Sequence, residues 1–139
     1  AGTSLTTVER TVANSSEVQQ AALRLVEEVD VFYIVTDNTV VSALDSVIGV
    51  ANDHQIPLIV GEPDSVAKGG FMSYGIDYYT IGYRSGEMAV EILTGEKKPS
   101  EIPVEIPPEM KLFINKDAAE KQGVEWHSDW DDAEFVETE

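Results

Sequence analysis

"VFYIVTDNTVVSALDSVIGVANDHQIPLIVG", Val31 to Gly61, sets two short apolar runs around a stretch with a different period. The outer runs, VFYIV (31–35) and IPLIVG (56–61), are continuous rather than alternating and rich in β-formers, as parallel strands covered on both faces are. Between them Val40, Val41, Leu44, Val47, Ile48 and Ala51 recur at helical spacing. A strand, a helix and a strand in so short a span imply a right-handed crossover between parallel neighbours.

The same alternation extends outward. Upstream, NSSEVQQAALRLVEE (14–28) puts Val18, Ala21, Ala22, Leu25 and Val26 on one helical face, with Asn14 and Glu17 spaced like a capping box. TTVERTV (6–12) reads as an edge-like strand before it. Downstream, GFMSYG (70–75) is a weaker buried-strand pattern, and a helix is expected over 78–94, ending at Gly95. Gly82 and Gly86 on that helix are expected to permit close packing on the sheet. The fold class is therefore α/β, an open parallel sheet with helices on both faces.

Beyond Gly95 the pattern changes. EKKPSEIPVEIPPEM (96–110) holds four prolines and favours an extended surface segment, KLFIN (111–115) adds a strand, and KDAAEKQG (116–123) a short helix. Residues 1–123 are expected to form the α/β lobe and residues 124–139 an acidic, ill-ordered tail, although Trp126, Trp130 and Phe135 could dock on the body. There are no internal repeats.

Composition limits the partners. The 139 residues suit one domain, and the absence of cysteine excludes disulfides and thiolate metal sites. No apolar stretch approaches the roughly 20 residues of a membrane span. With 26 acids against nine Lys and Arg, the net charge of −17 repels nucleic acid and anionic membrane. Seven of the acids lie in residues 124–139, yet the remainder is acidic too. Adaptation to high salt and an ordinary acidic domain with an acidic tail both account for this charge.

In an open parallel sheet, ligands bind at the carboxyl ends of the strands. Three polar groupings fall there: Thr36, Asp37, Asn38 and Thr39; then Glu62, Asp64 and Ser65 around Pro63; then Tyr74 and Asp77 around Gly75 and Ile76. Each could simply cap a helix, because such side chains accept hydrogen bonds from first-turn amides. As a set on one rim they also suit a zwitterion. Glu62 and Asp64 would pair with an ammonium group, while Asn38, Thr39 and neighbouring N–H groups would receive a carboxylate. Tyr74, with Tyr78 and Tyr79, would supply an aromatic wall or else join the core.

Catalytic patterns are absent from the chain: no nucleophile elbow, phosphate loop or dinucleotide fingerprint occurs. His54 reads as a surface residue. The tail's His127, Asp129, Asp131 and Asp132 lack the loop that a specific cation site needs. No catalytic residue, metal or cofactor is expected.

The segments TDNTVVSAL, DSVAKGG, YGIDYYTIGYRSGEMAVEIL and NKDAAEKQGV closely resemble the carboxyl-terminal lobe of a family of ABC-transporter substrate-binding proteins that includes tryptophan- and phenylalanine-binding members. The resemblance runs from about Val8 to Val124. It implies one lobe of a type I periplasmic-binding-protein-like fold, in which two α/β lobes trap a small ligand, amino acids among them, by hinge closure and deliver it to an ABC permease without chemistry. It also implies an extracytoplasmic protein, anchored as a lipoprotein when intact. Asp37, Asn38 and Thr39 match the family's cleft-facing segment and Asp64 its acid after the next strand. Where relatives often read Gly-Asp-Thr-Asp, this chain has GEPD (61–64), so its local cleft shape differs.

The resemblance leaves no room for the second lobe, nor for the strand and helix that usually open this one, so the chain reads as a piece of a longer polypeptide. Two alternatives stand beside a transport role: a ligand-sensing domain of a regulatory protein with the same fold, and a small α/β enzyme using Asp37 or Asp64 as base. An isolated lobe would expose its cleft face and is expected to dimerise through it. Sedimentation showing only monomer at high protein concentration would count against that.

Overall fold

The computed structural model describes residues 4–106 and 110–139. After a 3₁₀ turn at Ser15–Glu17, the chain runs through α1 (Val18–Leu25), β1 (Phe32–Ile34), α2 (Asn38–Val41), α3 (Leu44–His54), β2 (Leu58–Val60), α4 (Pro63–Ala67) and β3 (Met72–Ile76). It continues with α5 (Tyr78–Leu93), β4 (Met110–Ile114), α6 (Lys116–Lys121) and β5 (Glu134–Phe135). The five strands form one sheet in sequence order. β1, β2 and β3 are parallel, as expected from the crossovers. β4, however, runs antiparallel to β3, so the sheet is mixed rather than wholly parallel. A return from the far end of α5 places β4 head to tail against β3, and β5 then pairs parallel to β4.

The alternation along the strands sorts the two faces. Phe32, Ile34, Leu58, Val60 and Phe113 point to the face covered by α1 and α3, where Val18, Ala22, Leu44, Val47, Val50 and Ala51 complete the core with Val66 of α4. Burying each large aliphatic side chain here contributes about 1.5–3 kcal/mol relative to leaving it in water. The other face is covered only toward β4, by Phe71, Ile114, Ala119 and Trp130. At its β1 side it is bare: Tyr33 is 66% exposed and Val35 60%, and on β3 Tyr74 is 63%.

Four elements depart from the sequence expectations. TTVERTV is extended but belongs to no strand, because no neighbouring strand lies beside it among the described residues; Val12 packs on the core instead. The expected second helix breaks at Ala43 (φ −118°, ψ 21°) into α2 and α3. α5 buries no residue, and no atom stands within 4 Å of a Cβ placed on Gly82 or Gly86, so those glycines do not pack on the sheet.

The fourth is the acidic tail, where the structure takes the alternative that the sequence left open and docks the aromatic residues on the body. Trp130 meets Phe71 edge-on at 5.4 Å between centroids, Trp126 meets Trp130 at 5.6 Å, and Lys116 Nζ sits 3.7 Å from the Phe135 ring centre. β5 pairs with β4, Asn115 Nδ2 donates to Thr138 Oγ1 at 2.9 Å, and Glu139 N donates to the Ala67 carbonyl at 3.0 Å. Three aromatic side chains supply enough apolar contact to outweigh the charge repulsion around them.

The amino edge of the sheet is closed by one buried amide. Gln122, with no exposed surface, accepts from Leu58 N at 2.8 Å and donates to the Gly69 carbonyl at 3.0 Å and to Asn52 Oδ1 at 3.2 Å. It satisfies the first backbone donor of β2 and a carbonyl in the turn before β3. Gln122→Leu preserves volume but orphans both backbone groups, and is expected to lower unfolding free energy by about 2–5 kcal/mol in urea titrations.

Candidate functional site

The carboxyl ends of β1, β2 and β3 form one rim. Asp37 caps α2: its Oδ1 accepts from Thr39 N at 2.9 Å and Val40 N at 3.1 Å. That leaves Asn38 exposed at the first helical position and Thr39 half-buried beside it. Thr36 is exposed just before the cap.

After β2 the division of labour is similar. Glu62 caps α4, its Oε2 accepting from Asp64 N at 2.8 Å and its Oε1 from the Ser65 hydroxyl. Glu62 and Ser65 are buried, so both are turned into the fold, while Asp64 stays exposed. Pro63 at the first position of α4 presets its helical φ. The departure GEPD thus has a structural role: the longer glutamate reaches back to cap the turn that it begins. Burial pushes the Tyr78 phenol up, and the nearby Glu62 and Asp64 charges push it further. Tyr78 therefore stands in the field of both acids, which sequence reasoning had left undecided.

The third grouping divides. Tyr74 lies on the bare face of the sheet, opposite the one that α1 and α3 cover, since it pairs in register with Leu112. Asp77 caps α5, accepting from Tyr79 N at 2.9 Å and Thr80 Oγ1 at 3.3 Å, and it also accepts from Lys111 Nζ at 3.0 Å. That lysine holds the Asp77 carboxyl below the usual carboxylate range. Asp77 is engaged within the fold on both oxygens.

Two glycines bring the first two groupings together. A Cβ on Gly61 would stand 2.6 Å from Thr36 Oγ1 and 2.9 Å from Thr36 N, closer than real side chains approach. A Cβ on Gly75 would lie 3.1 Å from Ser73 Oγ and 3.7 Å from both the Gly61 carbonyl and Pro63 Cδ. The rim is hence drawn tight at the three strand ends. Thr36, Asn38, Thr39 and Asp64 remain on its open side as groups able to meet a ligand, Glu62 and Ser65 lie buried behind them, and Asp37, itself exposed, is engaged as a cap. Sequence analysis did not single out Gly61, Gly75 or Lys111. Gly61, directly after the apolar strand β2, was the available signal for close approach; Gly75 lies inside β3, and nothing in the sequence signalled Lys111, 34 residues from Asp77.

Elsewhere, a cavity of about 270 Å³ lined by Asn115, Lys116, Asp117, Phe135, Val136 and Glu137 opens at the opposite edge of the sheet, away from the rim. Among the described residues no helix is long and apolar enough to cross a membrane.

Known proteins share this chain's family and fold. The family described as ABC transporter substrate binding protein matches residues 1–129. The chain is 44% identical over 110 residues to a tyrosine-binding protein of Clostridioides difficile (strain R20291), a stretch that is 79% of this chain and 32% of that protein. It is similar in structure to a substrate binding protein with adhesive properties from Clostridium difficile in its ligand-free, open state (TM-score 0.76, 36% identity, 95% of this chain and 44% of that one). A conserved domain protein from Vibrio cholerae superposes with TM-score 0.80 at 34% identity over 94% of this chain and 44% of that one. An ABC domain in complex with L-Trp from Streptococcus pneumoniae gives 0.76 at 27% identity, over 90% and 42%. The chain thus spans about a third of its curated relative and less than half of each solved one.

Gly61→Ala, by forcing the Thr36 backbone away, is expected to cost about 1–3 kcal/mol of stability. Thermal unfolding of the variant beside the parent chain measures it. An unchanged midpoint would show that the rim is not drawn tight there.

Proposed function

The chain belongs to the ABC transporter substrate binding protein family, and from that premise we propose that it is one lobe of a two-lobed solute-binding component of an ABC importer. The ligand is a small zwitterion, foremost an amino acid with an aromatic side chain, held between this rim and a second lobe. The protein performs no chemistry on it. It works outside the cytoplasm, tethered as a lipoprotein, and hands its ligand to an ABC permease.

One observation carries this reading. The chain leaves the sheet after Ile76, forms α5 and the segment through residue 106, and returns at Met110, the residue paired with Ile76. This arm departs and returns at the ligand rim and contributes no buried side chain of α5 to the body of the lobe. Its polar side is matched internally, Arg84 donating to both oxygens of Glu105 at 2.6 and 2.7 Å. Its other side presents Tyr79, Tyr83, Val90 and Leu93 to water at helical spacing, around Gly82 and Gly86. An apolar stripe of that size implies cover. Because the arm starts at the rim, a body covering it stands across the rim and makes a cleft of it. The shares of the relatives that lie beyond this chain leave room for such a body.

The chemistry of the rim supports the ligand class. Asp64 is an exposed acid suited to an ammonium group, and Asn38 and Thr39 offer donors to a carboxylate. The tyrosine-binding relative and the L-Trp complex fit a ligand of this kind. No observation favours Asp37 as a base: its Oδ1 accepts from two backbone donors as the cap of α2.

Calorimetry on the whole two-lobed polypeptide with L-tyrosine, L-tryptophan and L-phenylalanine tests the reading. Asn38→Ala and Asp64→Ala are each expected to weaken binding by about 1–3 kcal/mol, the range for losing a charged or buried hydrogen bond. Unchanged affinity in both variants would rule out this site.

A further inference from the structure

The arm is fastened to the sheet through one cation. Lys111 follows the returning residue of β4 and lies opposite Gly75 in the ladder. Its ammonium donates to Asp77 Oδ2 at 3.0 Å and to Glu134 Oε2 at 3.2 Å. Asp77 is the cap of α5, the residue at which the arm begins. Glu134 belongs to β5 and pairs with Phe113, which puts it diagonally across the ladder from Lys111. Three segments remote in sequence, the arm's first turn, the return strand and the terminal strand, therefore share one charge.

The other ion pairs of the arm are internal to it: Arg84 with Glu87, Glu91 and Glu105, and Lys97 with Glu91. Among the described residues only Lys111 links the arm to the sheet by an ion pair. Among the described residues the ladder runs as far as the pair Ile76 and Met110, directly beside this ion pair. Without the lysine, two carboxylates would face each other at the junction.

We propose that Lys111 is a positioning residue of the hinge: by gripping Asp77 and Glu134 together it sets the angle at which the arm leaves the sheet, and with it the orientation of the lobe that the arm carries. The second step rests on the two-lobed reading above; the first does not. Exposed ion pairs contribute little to global stability, but between two arm orientations of nearly equal free energy a small bias shifts populations several-fold. The tail enters this mechanism through Glu134, so it is part of the hinge and not only, through Trp130, a cover for Phe71.

Lys111→Met keeps the apolar stem and removes the charge. In the 139-residue chain, amide exchange at Tyr79 to Ile81 is expected to quicken about two- to five-fold, with Val47 to Ala51 in α3 unchanged and Lys111→Arg restoring the parent rates. Unchanged exchange in the arm's first turn would overturn the proposal, as would a quickening spread equally over α3, which marks a merely structural role. Glu134→Gln gives a second reading should Lys111→Met fold poorly: a smaller change in the same direction supports the shared grip, and none removes Glu134 from it. For the second step, small-angle scattering of the unliganded two-lobed protein is expected to shift in Lys111→Met. An unchanged profile beside quickened exchange would overturn lobe orientation while leaving the hinge grip in place, and neither result depends on which ligand binds.

Discussion

The antiparallel pairing of Met72–Ile76 with Met110–Ile114 is the constraint on which the rest of the chain depends. Five paired positions bring the chain back to the point it left, so everything between them must project from the rim as a closed excursion. The same pairing reverses the direction of β4, which carries Asn115 to the opposite edge of the sheet. There the Asn115 side chain caps α6 by accepting from Ala118 N at 3.0 Å and ties α4 to the terminal segment through the Val66 carbonyl and Thr138. Arm, hinge and tail all follow from one ladder.

How far the sequence disclosed this depends on range. The crossovers from β1 through β3 were legible because each rests on local period: continuous apolar runs for strands and a one-sided stripe for helices. The helix caps at Asn14, Asp37 and Asp77 were legible for the same reason, each bond spanning two or three residues. The direction of β4 was not, since KLFIN has the composition of a strand in either sense. Composition left the tail open between disorder and docking. Its charge suggested disorder, whereas three aromatic side chains and Lys116, brought near only by the fold, decide its docking. The strand expected at TTVERTV shows the converse: adequate β propensity without a neighbour makes an extended segment and no ladder.

At the rim, capping and ligand binding are successive layers. Asp37 accepts two first-turn amides on one oxygen, and Glu62 accepts one amide and the Ser65 hydroxyl, so both acids are drawn into caps of the fold. Their neighbours one and two positions on, Asn38 and Asp64, inherit the exposed positions because the caps hold them there. Sequence could name the groups; that Glu62 turns inward and Asp64 outward follows from the geometry of the cap.

The bare surfaces have a common origin. Tyr33, Val35 and Tyr74 on the sheet, and Tyr79, Tyr83, Val90 and Leu93 on α5, are too numerous and too clustered for a face meant to meet water. A lobe stable by itself would have replaced them at little cost, because an exposed position tolerates polar residues. These side chains lie outside a core that is complete without them, in two separate patches, one over the β1 side of the sheet and one along α5. Only the second begins at the rim, and on the two-lobed reading proposed above it is the one that would close over a ligand at Asn38 and Asp64.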